Sequence, residues 1–432
     1  MSTKMKKLLQ SKRRGSAIAL AVIAILILFA VGVGLMGLGF SGRVYSHRTA
    51  SDIAARCAAD AGLAMALFEM NQKLQVKPFT EGTLPLATDV KLPYSDQVCS
   101  YKVTGNPGGG YTIESTGESG GATRTVRAII GLQSAFSHAI VTKQTLTLKA
   151  GTTIDGYNSA DPLDKDIDVG IGSQSAADSS IILNNGTTVK GDIFVAGNVD
   201  SAIKDLGATV TGDKSISAPD PLPKVTAPAL PGKGAISAKG TTVTITAADS
   251  GTYTGIDLKT TGKPGILEID GDVVLHVTGD IALGQSCEIV VKDGSSLVIY
   301  ADANINCANG SGINTKNPPE KAETLQIYAT GSGAQYFDVK AKSQFTGVIY
   351  APDADVVLYA NGDAYGSVVA HGFEYKAGGN FYYDEALQKK NTVNDEGVQF
   401  VVTRWSESAP SFSTSDSKGV LAEPVLVVEP LQ

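Results

Sequence analysis

Tryptophan occurs once in this 432-residue chain, and histidine and cysteine four times each. So few cysteines exclude a disulfide-dense scaffold, and none lie in a C-x-x-C spacing, so no structural metal is expected. Basic charge is also in deficit. Lys and Arg number 36 against 43 Asp and Glu, a formal net charge of −7. A nucleic-acid partner needs a basic footprint, so none is expected. No nucleotide-binding loop and no Ser/His/Asp order with an elbow motif occurs. No catalytic residue and no cofactor is therefore assigned, and the chain is read as not an enzyme. Aromatic residues are sparse at 6%, whereas glycine is plentiful at 48 residues. That is about 11% against an average near 7%, a balance that suits β structure with many tight turns.

The amino terminus is one-signed. Lys4, Lys6, Lys7, Lys12, Arg13 and Arg14 precede Gly15-Ser16 without an acidic residue, and a charge-free run continues to Gly42. From Ala17 to Phe40, at about 1.5 Å per residue, a helix spans roughly 36 Å, enough for a bilayer core with some tilt. Residues 1–15 are therefore read as a basic leader and 16–42 as a single transmembrane helix. Lys and Arg favour the cytoplasmic face, which puts the amino terminus inside. The rest is then expected beyond the inner membrane, in the periplasm or outside the cell. A cleaved signal peptide has a shorter apolar core and a small-residue site; here Arg43, Tyr45, His47 and Arg48 follow the apolar run.

Residues 43–75 continue without proline and with Gly62 as the only glycine after Gly42. Ile53, Cys57, Ala61, Ala64 and Phe68 recur at spacings of three and four, which predicts an apolar stripe on a helical extension. A separate helix beginning near Ser41-Gly42 is the alternative. Pro78 and Glu81-Gly82 mark the predicted end.

The string Arg14-Gly15-Ser16-Ala17-Ile18-Ala19-Leu20, followed by Ala58-Ala59-Asp60-Ala61-Gly62-Leu63, resembles the amino-terminal region of PilX-type minor pilins. Asp60 stands where that family usually carries Glu. The resemblance covers about 65 residues. It implies a prepilin peptidase that cuts between Gly15 and Ser16, other pilin-like subunits as partners, and a place in or near a type IV pilus at the cell surface. Such a cut would remove all six leader cations. Major pilins carry Glu at the fifth mature position; here that position is Leu20, which points to an accessory or minor component.

The expected architecture is α+β: the long helix, a small antiparallel β unit over 76–135, and a mainly-β domain over 136–390. A strand and polar tail follow over 391–432. Within the β domain, Ile299-Tyr300-Ala301, Ile327-Tyr328-Ala329 and Ile349-Tyr350-Ala351 repeat, and Gly-Asp pairs such as Gly271-Asp272 and Gly362-Asp363 punctuate the strands. Repeats in the low twenties predict a right-handed β-solenoid, with a β-sandwich as the alternative. Prolines 219, 221, 223, 228 and 231 mark a polyproline-like connector over 218–232. Three strings in this region also resemble a module found behind pilin-type anchors in bacterial surface proteins: Thr153 to Ser159, Phe345 to Pro352, and Gly378 to Leu387. That resemblance carries no activity onto named residues.

Four cysteines in an oxidising compartment allow three pairings. Cys287 and Cys307 form one candidate bridge; Cys57 and Cys99 could pair, or Cys57 could be a buried free thiol. Candidate carboxylates for sugar chemistry are Asp161, Asp164, Asp166 and Asp168, and the pair Asp353 and Asp355. Asp164-x-Asp166-x-Asp168 begins like a calcium loop, but its twelfth position is Ser175 instead of Glu, so no metal is assigned. Tyr300, Tyr328 and Tyr350 should form a ladder, either exposed for glycan or protein binding or stacked internally. The expected role is structural or accessory in a pilus or secretion assembly. A pilin-anchored adhesin is second and a polysaccharide-active enzyme third.

Overall fold

The computed structural model describes residues 14–80, 82–107, 109–164, 167–314, 321–341, 344–360, 362–376, 379–389, 393, 395–408 and 411–412. The leader to Arg13, Asp166 and the tail from 413 lie outside these residues. A single helix, α1, runs from Arg14 to Leu74. No break occurs at Ser41-Gly42. Its first half is apolar on every side and exposed, and it is long and apolar enough to cross a membrane.

The second half of α1 buries a face other than the expected one. Ser51, Ala55, Ala58, Ala59 and Ala66 are buried, whereas Ile53, Cys57 and Phe68 are exposed. Small side chains win because the sheet comes so close. Four antiparallel strands follow the helix: β1 (Leu86–Lys91), β2 (Val98–Asn106), β3 (Gly110–Ser119) and β4 (Ala122–Gln133). A Cβ on Gly117 of β3 would collide with the helix backbone at Ala55 and Ala59, and one on Gly62 would strike Ser115 Oγ. Large residues on that face would hold the two layers apart. Arg124 on β4 fastens the contact with a bidentate pair to Asp52 at 2.6 Å, and a second carboxylate, Glu407, lies 3.2 Å away. The late strand Gln399–Glu407 joins the sheet beside β4.

Residues from about 138 to 385 form a second body, in which the paired strands among the described residues all run parallel. The β-solenoid expectation, and the β-sandwich beside it, are corrected here. Eight parallel strands close on themselves. From Gly251–Lys259 the path runs through Asp272–Val277, Ser296–Ala301 and Leu325–Ala329 to Phe345–Ala360. It returns through Gln335–Ala341, Ile305–Cys307 and Ile281–Leu283. The two long strands, Gly251–Lys259 and Phe345–Ala360, each pair with neighbours on both paths, which closes the barrel. Regular spacing in the sequence specifies the register between neighbours, and that register is the same whether a sheet stays open or closes.

Chain order departs from spatial order as well. The first strands, Ile140–Thr142 and Leu146–Leu148, pair with Ala364–Tyr375, near the end of the body. Side chains alternate across each strand. Leu275, Ile299, Ile327, Ile349, Val368, Ile140, Ile171 and Ile193 fill the core, each worth about 1.5–3 kcal/mol on burial. Their following residues point the other way. That outer column reads Ser215, Phe194, Gly172, Val141, Val369, Tyr350, Tyr328, Tyr300, His276, Thr252 and Gly232, each aligned with the next.

Ten inter-strand steps of about 4.8 Å make that column roughly 48 Å long. The chain must return from Ser215 to Gly232 at the opposite end, and 17 residues at about 3.1 Å in polyproline form reach roughly 53 Å. The connector is nearly taut, and its prolines supply the extended backbone that the span requires.

Candidate functional site: a strapped aromatic ladder and its flanking cleft

The outer column brings the three repeated tyrosines together. Tyr300 and Tyr328 stack with ring centroids 5.4 Å apart and planes 20° from parallel, and Tyr328 lies 6.3 Å from Tyr350. Phe136 meets Tyr350 edge-on at 6.1 Å. The ladder faces away from the barrel core, yet all three rings are buried. The connector covers them: Val225 is buried among them, Leu222 and Ala227 pack beside it, and Tyr350 Oη donates to the Pro223 carbonyl at 2.7 Å. Tyr328 Oη donates to Gln326 Oε1 at 2.8 Å, and Tyr300 Oη to Glu396 Oε1 at 3.3 Å. Burial pushes the tyrosine phenols well above their ordinary range and raises the Glu396 carboxyl, against the opposing pull of Lys77. The ladder is thus neither an exposed binding face nor part of the barrel interior. It forms a second core beneath the chain's own strap.

Beside the strap's first residues lies a polar cleft of about 270 Å³, lined among others by His138, Asp168, Gln174, Phe194 and Asp220. His138 and Phe194 sit 4.8 Å apart at 50°. Both rings come close to one strand because it carries Gly170 beside His138 and Gly172 beside Phe194, where a Cβ would meet each ring. Burial lowers the His138 pKa, and Asp220 and Asp168 pull it the other way. Gln174 Nε2 donates to the Asp220 carbonyl at 2.8 Å and pins the strap's start.

Two of the three module-like strings meet directly. The strand Phe381–Asp384 pairs in parallel with Thr153–Tyr157. Asp384 is buried and accepts from the Ser159 amide at 3.0 Å, while Asn158 Nδ2 donates to Glu385 Oε2 at 2.9 Å. These four residues clasp the last strand of the body to one of its first. The strings are recognisable in the sequence, but the clasp is not, because residues more than 200 positions apart give no local signal.

The remaining candidates separate. Asp161 and Asp164 sit in a turn next to Asn158, Asp168 lines the cleft, and Asp166 is outside the described residues. Among the described residues no cluster of metal ligands occurs. Asp353 pairs with Lys143 at 2.7 Å and Lys224 at 3.6 Å, and Asp355 with His371 at 2.8 Å, so each holds a neighbouring segment. Cys287 and Cys307 are buried thiols with no bond between them, and Cys307 aligns with Leu283 instead. Cys57 is exposed, not buried, and Cys99 is free and buried. Gly15 and Ser16 fall in the first turn of α1.

A domain family described only as of unknown function (DUF7305) matches residues 183–390. The clasp and the first parallel strands extend this body beyond that match. No curated protein matches the chain. Among solved structures, the crystal structure of competence-associated pilin ComZ from Thermus thermophilus is 15% identical. The match covers 83% of this chain and 97% of that one, with a TM-score of 0.23. So distant a likeness carries no argument about this chain.

Proposed function

We propose that this protein is a membrane-anchored, pilin-like accessory component of a type IV pilus or a related secretion assembly, with a structural rather than catalytic role. The observation that carries this reading is α1. One unbroken helix is apolar and exposed on all sides through its first half, then packs a small-residue face on an antiparallel sheet. Removing the leader at Gly15-Ser16 would strip six cations from the end of that helix and free it to leave the bilayer lengthwise. An adhesin reading needs an exposed tyrosine ladder, and burial beneath the connector withdraws that support. Mass spectrometry of membrane-extracted and sheared-filament fractions tests the proposal. The expected mature end is Ser16, with protein in the filament fraction, and Gly15→Ala should retain the leader and empty that fraction. An intact Met1 end in native protein, found only in membranes, would overturn it.

A further inference from the structure

The polar cleft beside the strap gathers groups that the fold leaves unmatched. Its lining contains no lysine or arginine, but three aspartates, Asp168, Asp192 and Asp220. Asp192 Oδ1 accepts from the Asp213 amide at 2.7 Å. Asp168 and Asp220 are exposed, and their carboxylates have neither an ion pair nor a hydrogen bond among the described residues. Exposed carboxylates need no partner, so these two alone specify nothing.

Buried groups in the same lining are unmatched as well. Ser134 is 7% exposed; its Oγ accepts from the Phe136 amide at 3.0 Å, and its own proton has no acceptor among the described residues. The His138 ring, which burial keeps uncharged at neutral pH, has no hydrogen-bond partner there either and offers one donor and one acceptor. Buried polar groups are normally matched, so these two call for something in the cleft. The size of the space narrows what that is. About 270 Å³ lies just below the usual range of ligand pockets, about 300–1,000 Å³, and suits one small ring rather than a chain. His138 and Phe194 supply an aromatic wall, and aromatic faces attract cations. The missing charge is positive, and among the described residues no cluster can ligate a metal ion. Gln174 pins the Asp220 backbone, so the strap itself places one of the carboxylates.

We propose that this cleft binds a single amino sugar that carries a free ammonium group. The ammonium sits against the Asp168 and Asp220 carboxylates, and a sugar oxygen accepts from Ser134 Oγ. The C–H face of the sugar lies on the Phe194 ring. Phosphorylated and acidic sugars are excluded, because the lining has carboxylates and no basic side chain to meet them.

Isothermal titration of the full chain at neutral pH, in a detergent without a sugar headgroup, tests the proposal. Glucosamine should bind saturably below about 10 mM, and glucose and N-acetylglucosamine, which lack the charge, about ten-fold more weakly. Asp168→Asn and Asp220→Asn should each weaken glucosamine about ten-fold without lowering the melting temperature. Asp293→Asn, an exposed control elsewhere on the body, should change neither. Ser134→Ala should weaken glucosamine but not cyclohexylamine, which has no oxygen to accept the hydroxyl proton. A β-linked glucosamine disaccharide distinguishes the source of the sugar. Affinity within about two-fold of glucosamine assigns the end of a glycan chain, and affinity about ten-fold weaker a free monosaccharide. The proposal is overturned if the parent shows no saturable glucosamine binding up to about 10 mM, or binds glucose equally well. Unchanged glucosamine affinity in both aspartate variants overturns it too.

Discussion

Gly117 shows how one missing side chain sets the distance between two layers. Any Cβ there collides with the backbone of α1 at Ala55 and Ala59, where neither side can give way by rotating a bond. Gly117→Val should therefore destabilise the protein by about 1–3 kcal/mol or more, the usual cost of overpacking, seen as a lower melting temperature in detergent. Tyr350→Phe removes a single buried hydrogen bond to Pro223, worth about 1 kcal/mol. Faster proteolysis within the connector should accompany that loss. His138 supplies a pH dependence. Its folded pKa lies below the ordinary histidine value, so the unfolded chain takes up the proton first. Stability should fall as the pH drops through about 6.5, the ordinary histidine pKa. In His138→Gln, urea midpoints measured at neutral and mildly acidic pH should differ less than in the parent.

At the scale of elements, the connector is the part whose length matters. It exceeds its span by only about 5 Å, less than two polyproline residues of about 3.1 Å each. Deleting two residues between Thr226 and Leu230 should strain or undock an end strand and lower the melting temperature, whereas inserting two should cost less than about 1 kcal/mol. Thermal melts of the paired variants separate a tensioned strap from a passive loop. The elements also show what a sequence can display. The Ile-Tyr-Ala repeats place Tyr300, Tyr328 and Tyr350 in one register, because parallel neighbours align residues of like type. The helix from Arg14 onward is legible from its charge and apolar pattern. Its packing face is not, because large apolar residues dominate a periodicity search, and the contact is made through Ser51, Ala55, Ala58 and Ala59. Barrel closure is hidden for another reason. It depends on two long strands each serving two neighbours, a property of three-dimensional path that leaves no spacing in the chain. What covers the tyrosines is equally hidden, since Pro223 and Tyr350 are 127 positions apart.

For the whole molecule, the chain divides into two compact units, and it leaves the first and returns to it twice, residues 70–82 and 131–401 falling in the second. The longer excursion departs at the end of β4 and comes back along Gln399–Glu407, the strand beside β4 in the same sheet. Thr403 Oγ1 donates to the Ile129 carbonyl at 3.0 Å, and Ser408 N to the Thr125 carbonyl at 3.0 Å, which fixes that return. Replacing residues 135–397 by a short Asn-Gly turn should leave a protein that inserts in membranes and still melts cooperatively in detergent by circular dichroism. Loss of the cooperative transition would show that the small sheet depends on what it carries. The parallel body, whose last strand is clasped to one of its early strands by Asn158, Ser159, Asp384 and Glu385, is thus carried as a cassette on the longer excursion, which begins and ends at neighbouring strands of one sheet. Lineages could exchange such a cassette for another, or graft it onto a different anchor, without redesigning either piece.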